Sequence, residues 1–145
     1  MKTGVDKIMT KRVVSVAPDT GLAEVKRLFD AARFHHLLVV ENKQLVGILS
    51  DRDLFRALSP NLGTAAETRR DTATLNKKVH QIMSRQLWVL YPQNDIYDAI
   101  NLFHSQKISC IPVVDENRTP MGIISWRDII KLLAVGKAIR NKQAM

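Results

Sequence analysis

Gly47-Ile48-Leu49-Ser50-Asp51-Arg52-Asp53 returns later in the chain as Gly122-Ile123-Ile124-Ser125-Trp126-Arg127-Asp128. In each copy a glycine opens a short apolar run of the kind a buried strand shows, and a serine follows with an aspartate three residues on. Ser-x-x-acid at a helix start is a capping-box pattern, in which hydroxyl and carboxylate satisfy backbone N–H groups that the first turn leaves orphaned. The same residues also suit a ligand. Glycine lets a ligand or a neighbouring backbone approach closely, and free N–H groups at a strand-to-helix junction suit phosphate. A carboxylate can accept from both vicinal hydroxyls of a ribose, as acidic residues do in dinucleotide folds. Arg52 and Arg127 stand beside these carboxylates and can pair with phosphate. Capping and binding are compatible roles.

Working outward, the repetition extends well beyond these motifs. Ile8-Met9-Thr10 matches Ile82-Met83-Ser84, Pro18 matches Pro92, Leu28-Phe29 matches Leu102-Phe103, and Val39-Val40 matches Val113-Val114. One extra residue enters the second copy between Asp115 and Met121, after which Gly47, Ser50, Arg52 and Asp53 fall on Gly122, Ser125, Arg127 and Asp128. The same elements in the same order identify an internal duplication.

Each copy reads β-α-β-β-α. In the first, a polar lead precedes an alternating run, Val13 to Ala17, and Pro18-Asp19-Thr20 breaks it and offers N-cap oxygens. Thr20 to Arg33 carries Leu22, Val25, Leu28, Phe29 and Ala32 at helical spacing. Leu37 to Val40 and Leu45 to Leu49 are strands joined by the polar turn Glu41-Asn42-Lys43-Gln44, and Ser50 opens the second helix. The second copy follows with strand Leu87 to Tyr91, a helix capped by Pro92 to Asp95, strands Cys110 to Val114 and Met121 to Ile124, and a last helix from Trp126. Ser59 to Asn76 reads as a surface linker with a helical turn near Ala65 to Arg70. The expected organisation is repeat 1 at 4–58, linker 59–77, repeat 2 at 78–135 and a basic tail at 136–145. One copy makes a marginal core, so an α/β (α+β) fold is expected, with the copies packed as a pseudo-twofold pair.

Composition narrows the class. The chain has 145 residues, 46% of them apolar and 25% charged, which is ordinary for a globular protein that folds without disulfide or metal. Its single cysteine, Cys110, cannot form an internal disulfide, and no apolar run approaches the ~20 residues that span a bilayer. With no apolar segment at the N-terminus, a cytoplasmic location is expected. The net charge of +8 admits an anionic partner, but the basic residues are scattered. His35 and His36 are adjacent on a strand and point to opposite faces, so they do not share one ion, and no Cys or His lies at zinc spacing. No Walker loop, Ser-His-Asp order or acid pair is present, and catalysis is not supported.

The duplicated unit resembles a tandem pair of CBS domains. The resemblance is carried by Ile8-Met9-Thr10 and Ile82-Met83-Ser84, by the central Leu-Val-Val and Pro-Val-Val strands, and by the two glycine-led Ser-x-x-Asp motifs. The linker's Ser-Pro start and length are also similar to small AcuB-type pairs. The resemblance implies an adenosine-type ligand such as AMP, ADP or ATP, no required cofactor, and two clefts between the repeats. Asp53 with Ser50, and Asp128 with Ser125, would hold ribose. His35, His36 and Arg52 in one cleft, and Arg127 and Ser109 in the other, would face phosphate, and Cys110, in the second cleft beside an apolar strand, is expected to be a buried or semi-buried thiol rather than a nucleophile. Ile108, Ser84 and Arg85 would lie near one base, and Phe34, Thr10 and Lys11 near the other. Two histidines and an arginine suggest tighter polyphosphate binding at Asp53. The bulk of Trp126 and the replacement of a family proline by Leu38 are departures from the pattern, and Trp126 puts occupancy of the Asp128 cleft in doubt.

The leading functional expectation is a non-enzymatic nucleotide sensor, a homodimer acting on an unidentified partner protein. One alternative is a basic nucleic-acid-binding protein, although aromatic content is only 6% and no stacking motif stands out. A ligand-free interaction scaffold is the other.

Overall fold

The computed structural model describes residues 3–32 and 34–144, with side chains through residue 136; Arg33 and the side chains of the basic tail beyond 136 lie outside the described residues. The chain divides into two compact units, residues 14–87 and residues 1–13 with 88–145.

In the 14–87 unit, strand β1 (Ser15–Val16) precedes helix α1 (Leu22–Ala31), β2 (His36–Glu41), β3 (Gln44–Ser50), α2 (Asp51–Ala57) and α3 (Arg69–Ala73). The three strands form one sheet in the order β1-β2-β3, with β1 parallel to β2 and β2 antiparallel to β3. The hairpin turn places Asn42 and Lys43 at φ of 52° and 66°. Two left-handed residues in succession match the right-handed twist of the flanking strands. The core gathers Leu22 and Val25 of α1, Leu37 and Val39 of β2, Leu49 of β3, Leu54 of α2, and Val79 and Met83. Each fully buried leucine contributes about 1.5–3 kcal/mol relative to exposure.

The second unit repeats the plan with α4 (Ile96–Ser105), β4 (Cys110–Val114), β5 (Pro120–Ser125) and α5 (Trp126–Ala144). β4 and β5 form an antiparallel hairpin with a register shift between Val113 and Val114, matching the one between Val39 and Val40 in β2. The extra turn residue is absorbed where Arg118 takes φ of 65°. Its core comprises Val5, Leu90, Ala99, Phe103, Ile111, Val113, Ile124 and Ile129.

The units do not coincide with the sequence copies. The lead of the first copy packs in the second unit, where Thr10 N donates to Ile123 O at 2.9 Å and Ile123 N returns a bond to Thr10 O at 3.0 Å. The lead of the second copy packs in the 14–87 unit, where Ser84 and Ile48 exchange equivalent bonds at 2.9 and 3.1 Å. Each lead thus satisfies outer-edge backbone groups of a hairpin that would otherwise stay unpaired.

Some local expectations shift. The first strand of the second copy contracts to a single bridge of Leu90 with Val113, and that of the first copy to Ser15–Val16. These segments pair along one edge only, and parallel pairing is slightly the weaker kind. Asp95 caps α4 through Tyr97 and Asp98 as expected, but α1 is capped by Gly21 with no side-chain bond. Thr20 is used earlier, its hydroxyl accepting from Ala17 N and closing the turn after β1. The helical turn of the 59–77 segment falls at Arg69–Ala73 and Thr74–Asn76, past the expected 65–70. Thr68 and Asp71 form its capping box.

Candidate functional site

β3 ends at Ser50 and α2 starts at Asp51, so the motif lies at the strand-to-helix junction. Ser50 N donates to Asp53 Oδ2 at 2.8 Å, and Asp53 N donates to Ser50 Oγ at 3.1 Å. This is a complete capping box. A carboxylate offers about four lone-pair sites, so capping leaves Asp53 acceptor capacity for a ribose diol. The register pairs His36 with Ser50, which brings the start of β2 alongside the motif.

The two histidines differ. His35 is exposed and engaged by Asp51, with Nδ1 2.9 Å from Asp51 Oδ2, while Asp51 N donates to His35 O at 3.0 Å. His36 is half-buried, and burial holds its pKa below the ordinary imidazole value against the opposing pull of Asp51 and Asp53. It therefore presents a neutral ring at neutral pH. Arg52 is exposed. Ser84 is exposed and binds the β3 backbone, and Arg85 turns back on its own segment, Nη2 donating to His80 O at 3.0 Å. Phe34 packs into this unit's core, its ring 5.5 Å from that of Phe29.

The second unit varies the pattern. Ser125 N donates to Asp128 Oδ2 at 2.9 Å, and the Ser125 hydroxyl is 3.2 Å from the same oxygen. Thr10 Oγ1 donates to Asp128 Oδ1 at 3.1 Å, so Asp128 is engaged at both oxygens, by Thr10 at one and by Ser125 at the other. A ribose reaching Asp128 must share or displace Thr10. Ser109, Lys11 and Arg127 are exposed. Cys110 is buried in β4, as a thiol beside an apolar strand is expected to be, and burial followed by the Asp128 charge pushes it up to about 12. Ile108 packs against the unit's core. Trp126 stacks on Phe103 at 4.9 Å and remains 49% exposed, so its own neighbour accounts for only one face.

The glycines serve close packing. A Cβ on Gly47 would lie 2.5 Å from Met83 Sδ, and one on Gly122 would lie 2.6 Å from Met9 Sδ. The methionines of the two lead motifs therefore fill the space that the glycines leave. Among the described residues no group of three or more His, Cys, Asp or Glu is placed to hold a metal. Nor is any helix there long and apolar enough to cross a membrane. Asp51 was not among the residues singled out by sequence. Its one signal was position, directly after the capping serine, where the second copy carries Trp126.

With two glycine-led Ser-x-x-Asp junctions in place, comparison with known proteins becomes informative. The CBS domain family matches residues 5–60 and 79–135, and the chain belongs to that family as a tandem pair. A CBS domain-containing protein of Dictyostelium discoideum is 30% identical over 135 residues, covering 92% of both chains. The inosine-5'-monophosphate dehydrogenase of Methanocaldococcus jannaschii is 27% identical over 139 residues, 95% of this chain but only 25% of the enzyme. The chain spans between a quarter and somewhat under half the length of the first curated relatives it matches.

Among solved structures, CBSX2 in complex with AMP superposes with a TM-score of 0.77 at 25% identity, covering 92% of this chain and 98% of that one. The CBS domain pair of protein MJ0100, in complex with 5'-methylthioadenosine and S-adenosyl-L-methionine, has a TM-score of 0.74 at 25% identity over 94% and 99% of the two chains. An AcuB-type protein of Vibrio cholerae shares the fold with a TM-score of 0.79 at 22% identity over 98% of each chain.

Proposed function

We propose that this chain is a regulatory module that binds an adenosine-type ligand and acts on a partner protein without catalysing a reaction itself. The observation that carries this reading is the pair of Ser-x-x-Asp junctions, each with a carboxylate anchored by backbone at one oxygen. Structural relatives bound to AMP, and to 5'-methylthioadenosine with S-adenosyl-L-methionine, supply the ligand class. Asp53 and Asp128 accept the ribose hydroxyls beside Ser50 and Ser125. Arg52, Arg127, Ser109 and the two histidines provide the polar surroundings of the 5' substituent. AMP, ADP and ATP are the first ligands to test, with S-adenosylmethionine beside them. No cofactor is required, the compartment is the cytoplasm, and the exposed helix residues Phe55, Ile130 and Leu133 serve a homodimer.

Binding to the folded state raises stability by mass action, about 2.7 kcal/mol at a ligand concentration of 100 times Kd. A thermal-shift and calorimetric panel of adenosine, AMP, ADP, ATP and S-adenosylmethionine should therefore raise Tm for at least one ligand. Asp53→Ala and Asp128→Ala should each remove one site, and the double variant both. Absence of any shift across the panel, with salt-dependent retention on RNA or DNA, would instead support a nucleic-acid-binding role for the +8 charge.

A further inference from the structure

The Ser50–Asp53 and Ser125–Asp128 junctions differ most in the residue after the serine, which is Asp51 in one and Trp126 in the other. The first junction then carries two carboxylates, Asp51 and Asp53, against one guanidinium, Arg52. The second carries Asp128 against Arg127, with an aromatic ring in place of the extra charge. Asp51 is also placed on the groups that a phosphate would need. Its Oδ2 is 2.9 Å from His35 Nδ1, its backbone N–H holds the His35 carbonyl at 3.0 Å, and its side chain is only 29% exposed. With Nδ1–H donating to Asp51, the neutral form of the ring has only the Nε2 lone pair left and offers a phosphate no donor. His36 offers no compensating cation, because burial favours its neutral form.

We propose that Asp51 is a charge-selecting residue, biasing the Ser50–Asp53 site toward adenosine ligands whose 5' substituent is uncharged or cationic and away from polyphosphates. The proposal rests on the adenosine-binding reading above. It reverses the preference suggested by counting histidines, because one of the two is already committed to a carboxylate. A neutral thioether or a cationic sulfonium at the 5' position meets Asp51 without repulsion, whereas a triphosphate brings several negative charges toward it.

The test uses calorimetry on the full chain carrying Asp128→Ala, at pH 8, well above the ordinary histidine value of about 6.5. The probes are adenosine, S-adenosylmethionine and ATP. Adding Asp51→Asn, which keeps shape and removes charge, should raise affinity for ATP about tenfold relative to adenosine, a change equivalent to ~1.4 kcal/mol. It should also lower affinity for S-adenosylmethionine relative to adenosine. His35→Ala, which removes the ring N–H from Asp51 and leaves that carboxylate oxygen open to the site, should move the ATP-to-adenosine ratio the other way. In the reciprocal background, Asp53→Ala with Trp126→Asp should impose the same discrimination against ATP on the Asp128 site. Ratios unchanged by Asp51→Asn and by His35→Ala, in a protein that still binds adenosine, overturn the charge-selecting role and leave the adenosine reading intact. A wild-type chain that binds none of the three probes overturns both.

Discussion

Gly47 and Gly122 occupy equivalent places in the two motifs, yet adding one methyl group should cost different amounts. At Gly47 the new Cβ would meet Met83 Sδ at 2.5 Å and Met83 Cγ at 3.0 Å, with the Ser84 carbonyl oxygen further off at 3.2 Å. Ordinary carbon contacts fall near 3.5–4.0 Å, so the methionine must move. An unbranched thioether with three rotatable bonds can do so. At Gly122 the Cβ would meet Met9 Sδ at 2.6 Å and the Thr10 carbonyl oxygen at 2.9 Å. That oxygen is fixed by its bond from Ile123 N at 3.0 Å, so backbone must shift and a bridge must stretch.

We expect Gly47→Ala to cost about 1 kcal/mol and Gly122→Ala about 2–3 kcal/mol, within the usual range for overpacking. Equilibrium urea unfolding at constant m measures both, and Tm should fall by about 2–4 °C for each kcal/mol in a chain near this size. A double-mutant cycle separates the causes. Met83→Ala should couple strongly with Gly47→Ala and recover most of its loss. Met9→Ala should recover little of the loss from Gly122→Ala, because the carbonyl remains. Equal losses at the two glycines, or full recovery through Met9→Ala, would refute the reasoning.

Cys110, buried and with its thiol pushed up to about 12, should resist a disulfide reagent in the native protein at pH 8 and react at the rate of unfolding; prompt stoichiometric labelling would contradict its placement in β4. His36 has a folded pKa below its unfolded value, so the unfolded chain binds more protons in that interval and stability should decline as pH falls from about 6.5 toward the lowered value. His36→Gln should flatten that part of a urea-midpoint profile, and an unchanged slope would remove His36 as its source. Asp71 is held below the ordinary carboxylate value chiefly by the Ser59 hydroxyl, at 2.7 Å, and then by Thr68 N. Its contribution is present above that ordinary value and is lost as pH falls through the depressed one. Asp71→Ala should therefore speed hydrogen exchange of the 68–76 amides at neutral pH, and exchange as slow as in the wild type would show that the clasp is unimportant.

Local chemistry was readable where neighbouring residues decide it. The Asn42-Lys43 turn, the Asp95 cap and the Ser50–Asp53 capping box depend on a few adjacent side chains, and each took the form its residues indicate, while the Ser125–Asp128 junction kept the bond from the serine N–H to the carboxylate. Repetition then specified the architecture, since two copies of the same element order admit few arrangements. Contacts between residues far apart in sequence left no comparable trace. Nothing local marks Met9 as the neighbour of Gly122, or Ser59 as the partner of Asp71. The engagement of His35 by Asp51 spans a whole hairpin, so counting cations missed the carboxylate that occupies one of them. Thr20 was a reasonable cap from its position, but its hydroxyl was already spent on Ala17.

The crossing of the two lead segments bears on how such a sequence can be inherited. A gene rearrangement that copied residues 14–58 alone would carry a hairpin without Ser84, the residue that pairs with its outer strand. One that copied residues 78–135 would likewise leave Thr10 behind, and with it a donor to Asp128. Residues 14–87 keep that pairing in one continuous stretch, but the other unit draws on both ends of the chain, so it can move between proteins as a single segment only when the first travels with it. The match within the far longer dehydrogenase follows that rule, since it takes in nearly the whole of this chain and not one half of it.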